Sequence, residues 1–318
     1  MSARSSTSAR EPSVFVSYRR ADDPFAAALV AAALLDRFGT QGVFLDTLAL
    51  RPRSDPSRRL PQALARSTVL LALIGSRWDQ GEQLRRLRDA QDWVRWEITE
   101  AARLHMTIIP AFLGRSADLN PDVPHDLRDL LTRQPPSAIR RTHLRTDLTD
   151  LVDRIITGPD APPAATPAGR LPVGEELDAA TIRTGIDAML RHVLPESQQW
   201  SGNRSMIVRT VTSLLGTGDW LRHLATAALP RRPNGSAVVA VTETAVAIAD
   251  LDHTFRITRQ LRVESTELTS ADLTPRRRLG LLATADVLLH TTAGPSIELL
   301  GMFGKEAEEL MENLRTMR

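Results

Sequence analysis

Hydrophobic and polar positions follow two different rhythms along this chain. In the first half, short unbroken apolar runs alternate with stretches of helical period. The runs are Ser13–Tyr18, Gly42–Asp46, Thr68–Ile74 and Thr107–Leu113. Between and after them, Phe25–Phe38, Ser57–Ser67, Trp93–Leu104, Pro124–Leu131 and Leu144–Ile156 carry helical spacing, the first closed by Gly39. Short apolar runs without alternation predict strands covered on both faces. Strands interleaved with helices predict an α/β fold, an open parallel sheet with helices on both sides. Such sheets gather their polar loops and ligands at the carboxyl ends of the strands.

The period changes in the second half. Residues 158–172 form a Pro/Ala-rich linker, densest at Gly158–Gly169. Residues 173–230 are expected to be helical, with one stretch at Gly174–Val193 and another at Ser205–Leu229, interrupted near Gly216–Gly218. Ser236–Thr242 and Ala245–Ala249 flank Glu243-Thr244 as a hairpin. Thr254–Val263, Leu279–Ala283, Val287–Thr291 and Ser296–Leu300 follow as expected strands, and Lys305–Arg315 closes the chain as an amphipathic helix. Residues 1–10 are rich in Ser, Ala and Arg and are expected to be disordered.

Composition narrows the function classes. With 318 residues the chain has room for two domains with cores of their own. Its net charge is only +2, and Lys305 is its one lysine. The sequence pI near 9.8 follows from having little that titrates above neutrality, so no nucleic-acid partner is expected. There is no cysteine, hence no disulfide, thiolate metal site or cysteine nucleophile. No apolar run is long enough to span a membrane, and Met1–Arg10 lacks the apolar core of a signal peptide, so the cytoplasm is the expected compartment.

The candidate chemistry centres on Asp92-Trp93-Val94-Arg95-Trp96-Glu97-Ile98. On a helix Trp93 and Glu97 share one face, one turn apart. An indole beside a carboxylate suits a flat cationic ring, which the indole stacks on and the carboxylate neutralises. Ser17, Arg19, Asp46, Ser76 and Trp78 all follow expected strand ends and would converge with that helix on one sheet edge.

These pieces together resemble the TIR domain. Val14-Phe15-Val16-Ser17-Tyr18-Arg19-Arg20, Val43-Phe44-Leu45-Asp46, Leu71-Ala72-Leu73-Ile74-Gly75-Ser76-Arg77-Trp78, Trp93-Val94-Arg95-Trp96-Glu97-Ile98 and Ile108-Ile109-Pro110 occur in the family's order. The resemblance covers residues 11–157 and implies a flavodoxin-like sheet. It also implies one of two functions: a scaffold that recruits other TIR domains, or an enzyme that cleaves NAD+. The Trp-Val-x-x-Glu-Ile pattern is that of the enzymatic group and makes Glu97 the catalytic carboxylate, with NAD+ as substrate and no cofactor. By the same resemblance Ser17, Arg19, Arg20, Asp46, Ser76, Trp78 and Trp93 are substrate-binding candidates, Arg19 and Arg20 as donors to the pyrophosphate. The loop Thr47–Pro56 corresponds to the family's contact loop but lacks the usual glycine after the proline. Chemistry on another nucleotide stays open.

The resemblance further implies self-association through TIR domains and a bacterial anti-phage role. Residues 231–318 look like the small bacterial PH-like domains, a smaller α+β unit expected to sense an unknown trigger. Arg276-Arg277-Arg278 is its candidate contact for a lipid headgroup, while His253 and His290 are isolated and expected to be structural.

Overall fold

The computed structural model describes residues 12–19, 21–45, 56–158, 178–193, 204–216, 218–228, 236–252, 254, 256–276, 284–292 and 294–317. Several expectations lie outside them: residues 1–10, Arg20, Asp46, the contact loop through residue 55, the linker 159–172, His253, Arg277, Arg278 and the expected strand Leu279–Ala283. The chain divides into two compact units, Met1–Glu175 with Arg191–Glu196, and Glu176–Leu190 with Ser197–Arg318.

The first unit runs β1 (Val14–Ser17), α1 (Pro24–Gly42), β2 (Val43–Leu45), α2 (Pro56–Arg66), β3 (Val69–Ile74), α3 (Gly81–Leu87), α4 (Trp93–Arg103), β4 (Thr107–Leu113), α5 (His125–Thr132), β5 (Ser137–Ile139) and α6 (Leu144–Thr157). Among the described residues its five strands are parallel and ordered β2-β1-β3-β4-β5, the flavodoxin-like order. Val14 pairs with both Val43 and Val69, which places β1 between β2 and β3. β3 and β1 are buried along their whole length, as unbroken Val/Leu/Ile runs require. Phe15, Leu70, Ile74, Leu87 and Ile98 belong to one apolar cluster, so α4 is bound to the sheet by the face that carries Ile98. Gly39 breaks α1 with φ +68°, a left-handed conformation suited to glycine.

Two elements of this unit escape the hydrophobic pattern. α3 has only seven residues, and β5 three. Neither is long enough to display a period.

The second unit contains α7 (Ala179–Ala188), α8 (Arg204–Leu214), β6 (Leu221–Ala228), β7 (Ser236–Thr242), β8 (Ala245–Leu251), β9 (Ile257–Glu264), β10 (Leu268–Pro275), β11 (Thr284–Thr291), β12 (Ile297–Phe303) and α9 (Gly304–Arg315). Among the described residues its strands form a seven-stranded antiparallel sheet in the order β10-β11-β12-β6-β7-β8-β9, so β6, the first of these, pairs with β12, the last. Ala307, Leu310, Met311 and Leu314 of α9 join Val239, Val246, Leu289 and Leu299 in the core.

Here the structure corrects the sequence expectation for Ser205–Leu229. The helix ends at Leu214, Gly218 takes φ +87°, and Leu221–Ala228 is a strand. Leucine and alanine favour a helix locally, but pairing of this segment with β7 overrides that preference. β10 was also not anticipated. Its Leu-Thr-Ser-Ala-Asp-Leu-Thr-Pro sequence is mostly polar because it lies at the end of the sheet. Among the described residues no helix is long and apolar enough to cross a membrane.

Candidate functional site

In the order 2-1-3-4-5 the sheet changes direction between β1 and β3, and the carboxyl ends of these two strands flank that point. β1 delivers Ser17 and Arg19 there, and β3 delivers the turn Gly75–Trp78. Glu97, on α4, is only 2% exposed. The Ser17 hydroxyl donates to its Oε2 at 2.5 Å.

A second tie fixes the same helix. Asp92 is the N-cap of α4 and accepts from the backbone N–H of Arg95 at 3.0 Å. Both of its oxygens also take the Arg19 guanidinium, Nη1 at 3.1 Å and Nη2 at 2.7 Å. Arg86 approaches the same carboxylate at 3.6 Å. Arg19 is 6% exposed. Its two Nη groups are therefore directed at the end of the helix, while its buried Nε has no partner among the described residues.

Asp22 connects the two strand ends. Its carboxylate accepts from the backbone N–H of Gly75 at 2.6 Å and of Arg77 at 2.8 Å, while Arg77 Nη2 donates to the Asp22 carbonyl at 2.8 Å. Burial raises its pKa from 3.8 to about 6, against the opposing pull of the N–H donors. A Cβ on Gly75 would stand 2.6 Å from both Asp22 carboxylate oxygens, so the approach depends on glycine.

Trp93 is 47% exposed at the start of α4, one turn before Glu97 on the same face. Its ring meets Trp96 edge-on, with centroids 5.8 Å apart. The exposed indole thus lies one turn from the buried carboxylate. Ser76 is exposed in the turn after β3. Trp78 is not at this edge. It is 1% exposed and packs with Phe15, Ile74 and Leu87, which corrects its expected place in the pocket wall. The turn directs its indole inward, and the next residue, buried Asp79, is anchored by Arg115 at 2.6 Å.

The site thus assembles Ser17, Glu97 and Trp93, with Arg19, Asp92 and Asp22 behind them. The sequence reading gives Asp92 and Asp22 no site role. Asp92 carries the signal of a capping residue before a helix. Asp22 gave no usable signal, because Asp23, beside it, is the residue that caps α1. Among the described residues no cluster of His, Asp or Glu is arranged to hold a metal ion.

Residues 14–145 match the family profile of the TIR domain. No curated protein matches the chain. Solved structures include the hSac2 domain from human phosphoinositide phosphatase Sac2, at 15% identity over 38% of this chain and 77% of that one, with a TM-score of 0.25. A β-glucosidase from Listeria innocua in complex with isofagomine matches at 11% identity over 94% of this chain and 47% of that one, with a TM-score of 0.24. Superpositions this loose bear on neither fold nor function.

Proposed function

Since residues 14–145 form a TIR domain, we propose that it is an NAD+ glycohydrolase that cleaves the nicotinamide–ribose bond with Glu97 as its catalytic carboxylate. The observation that carries this reading is the buried Glu97 held by Ser17 at the sheet's change of direction, one turn below an exposed Trp93. The pairing of this carboxylate with Trp93 is what favours the enzyme over a TIR scaffold.

The chemistry needs one such group. As the bond breaks, its electron pair passes to the nicotinamide nitrogen, so the pyridinium leaves as a neutral molecule and no general acid is required. Positive charge develops on the ribose as an oxocarbenium-like state. A fixed carboxylate beside it stabilises that charge without reorganising. Water then adds to give ADP-ribose and a proton, or an adenine nitrogen closes the ring to give a cyclic product. Trp93 supplies the stacking surface for a ring of the dinucleotide. Ser76, at the exposed strand exit, is a candidate substrate contact, and Arg20 and Asp46 remain candidates by family position.

TIR domains commonly self-associate, and activity here is proposed to depend on assembly, in an anti-phage role. We read the second unit as PH-like. Its first strand pairs with its last, and its closing helix packs on the core. It would receive the activating signal.

The test is nicotinamide release from NAD+ by concentrated full-length protein beside Glu97→Ala. Release by the first and none by the second supports the enzyme. Equal release by both removes Glu97 from the chemistry, and silence of both the full chain and residues 1–158 alone, across a concentration series, favours the scaffold.

A further inference from the structure

The second unit holds a cleft of about 400 Å3 that the chemistry at Glu97 does not use. One wall is the β8–β9 pair and the other is the segment leading from β11 into β12, with Ile248, Leu261, Val263 and Ile297 as apolar lining. In the β8–β9 register, Val246 stands opposite Val263, Ile248 opposite Leu261 and Asp250 opposite Arg259. Alternation along each strand puts these three pairs on one face. Val246, Ile248 and Leu261 belong to the core of the unit. Asp250 and Arg259 therefore mark where that face leaves the core and opens into the cleft. The register shifts immediately beyond them, since Leu251 pairs with Ile257 and Thr258 becomes an extra residue of β9. A bulge of this kind re-aims the neighbouring side chains.

The charges around the cleft are unevenly committed. Arg262 is held by Asp219 at 2.7 Å and by Glu264 at 2.6 Å. The Glu267 carboxylate accepts from the Glu264 backbone N–H at 3.0 Å. Asp250 and Arg259 are adjacent in register, yet among the described residues they make no ion pair with each other or with anything else. A carboxylate and a guanidinium held side by side without closing on each other match the two ends of a zwitterion.

We propose that this cleft binds an α-amino acid or a similar small zwitterion. The ammonium group meets Asp250, the carboxylate meets the Arg259 fork, and an aliphatic side chain lies on Ile248, Leu261 and Ile297. The volume is within the range of small-molecule sites. A phosphate or other plain anion is a poorer occupant, because Glu267 and Glu298 also line the cleft and the charge of Arg262 is already neutralised. The inference is independent of the chemistry at Glu97.

The experiment is calorimetric titration of the full chain with L-leucine, leucinamide (which lacks the carboxylate) and 4-methylpentanoate (which lacks the ammonium). Saturable binding of leucine is expected, with each analogue weaker by roughly tenfold or more. Asp250→Asn should weaken leucine by a similar factor and leave 4-methylpentanoate unchanged. Arg259→Gln should do the same for leucine and leave leucinamide unchanged. Absence of saturation by leucine, or equal binding of all three compounds by the wild type, overturns the proposal whether or not the variants fold. So does leucine binding that survives both substitutions.

Discussion

Arg19 and Asp92, 73 positions apart in the chain, form a buried two-pronged ion pair that locks the end of β1 to the first turn of α4. The Ser17 hydroxyl meets Glu97 on the same helix through a single hydrogen bond, so α4 is tied at two points to β1 and the residues just after it.

Removing either partner of the outer pair should therefore affect both stability and the site. Arg19→Ala leaves the Asp92 carboxylate buried without its main cation, and a loss of about 3–5 kcal/mol is expected. Asp92→Asn keeps an acceptor for the helix cap while discarding the charge, and should destabilise less than Asp92→Ala, which also loses about 1 kcal/mol of capping. Urea unfolding midpoints of the three variants check the order.

Gly75 is the second structural prediction. Alanine there would drive a methyl group against both oxygens of Asp22, so the Gly75–Trp78 turn must shift. A loss of about 1–3 kcal/mol is expected for Gly75→Ala, measured by thermal unfolding. A double variant with Asp22→Ala should recover part of that loss, since the clash disappears with the carboxylate.

The alternation of apolar runs and helical stretches was enough to reveal the parallel sheet, because strands buried on both faces leave no polar interruptions. It was also enough to place Glu97 and Ser17 at one edge, since both follow from strand ends and helix period. It was not enough to say what Arg19 and Trp78 do. An arginine after a strand looks the same whether it faces a substrate or a helix cap 73 positions away, and only the fold supplies Asp92. Trp78 follows a strand as Ser76 does, but the turn between them reverses its direction. In the second unit, the leucines and alanines of Leu221–Ala228 favour a helix, yet the segment is held extended by partners that are distant in sequence.

The raised pKa of Asp22 makes a pH prediction. Its folded value, about 6, lies above the ordinary 3.8, so between these values the folded protein binds the proton more tightly than the unfolded chain does. The corresponding stabilisation is fully present below about pH 4 and is lost as pH rises through about 6. A difference of roughly two to three kcal/mol between the ends of that window is the upper scale. Urea midpoints of wild type and Asp22→Asn between pH 4 and 7 should show it. The advantage of the wild type over the asparagine variant should shrink as pH increases, and parallel profiles would remove Asp22 as the titrating group.

The last prediction concerns the inner contact. If Glu97 acts on the ribose, Ser17 is a positioning residue. Its hydroxyl holds Oε2 in place before any substrate arrives. Ser17→Ala should then lower kcat for nicotinamide release by roughly ten- to a hundredfold, the usual scale for a lost orienting hydrogen bond at a preorganised site, with a smaller change in KM. Ser17→Thr keeps the hydroxyl and should restore much of kcat if β1 accommodates the added methyl. The Glu97 variant supplies the control. Combined with Glu97→Ala, the Ser17 substitution should have no further effect, because the group it orients is gone. A full additive loss in the double variant would mean that Ser17 acts on the substrate directly.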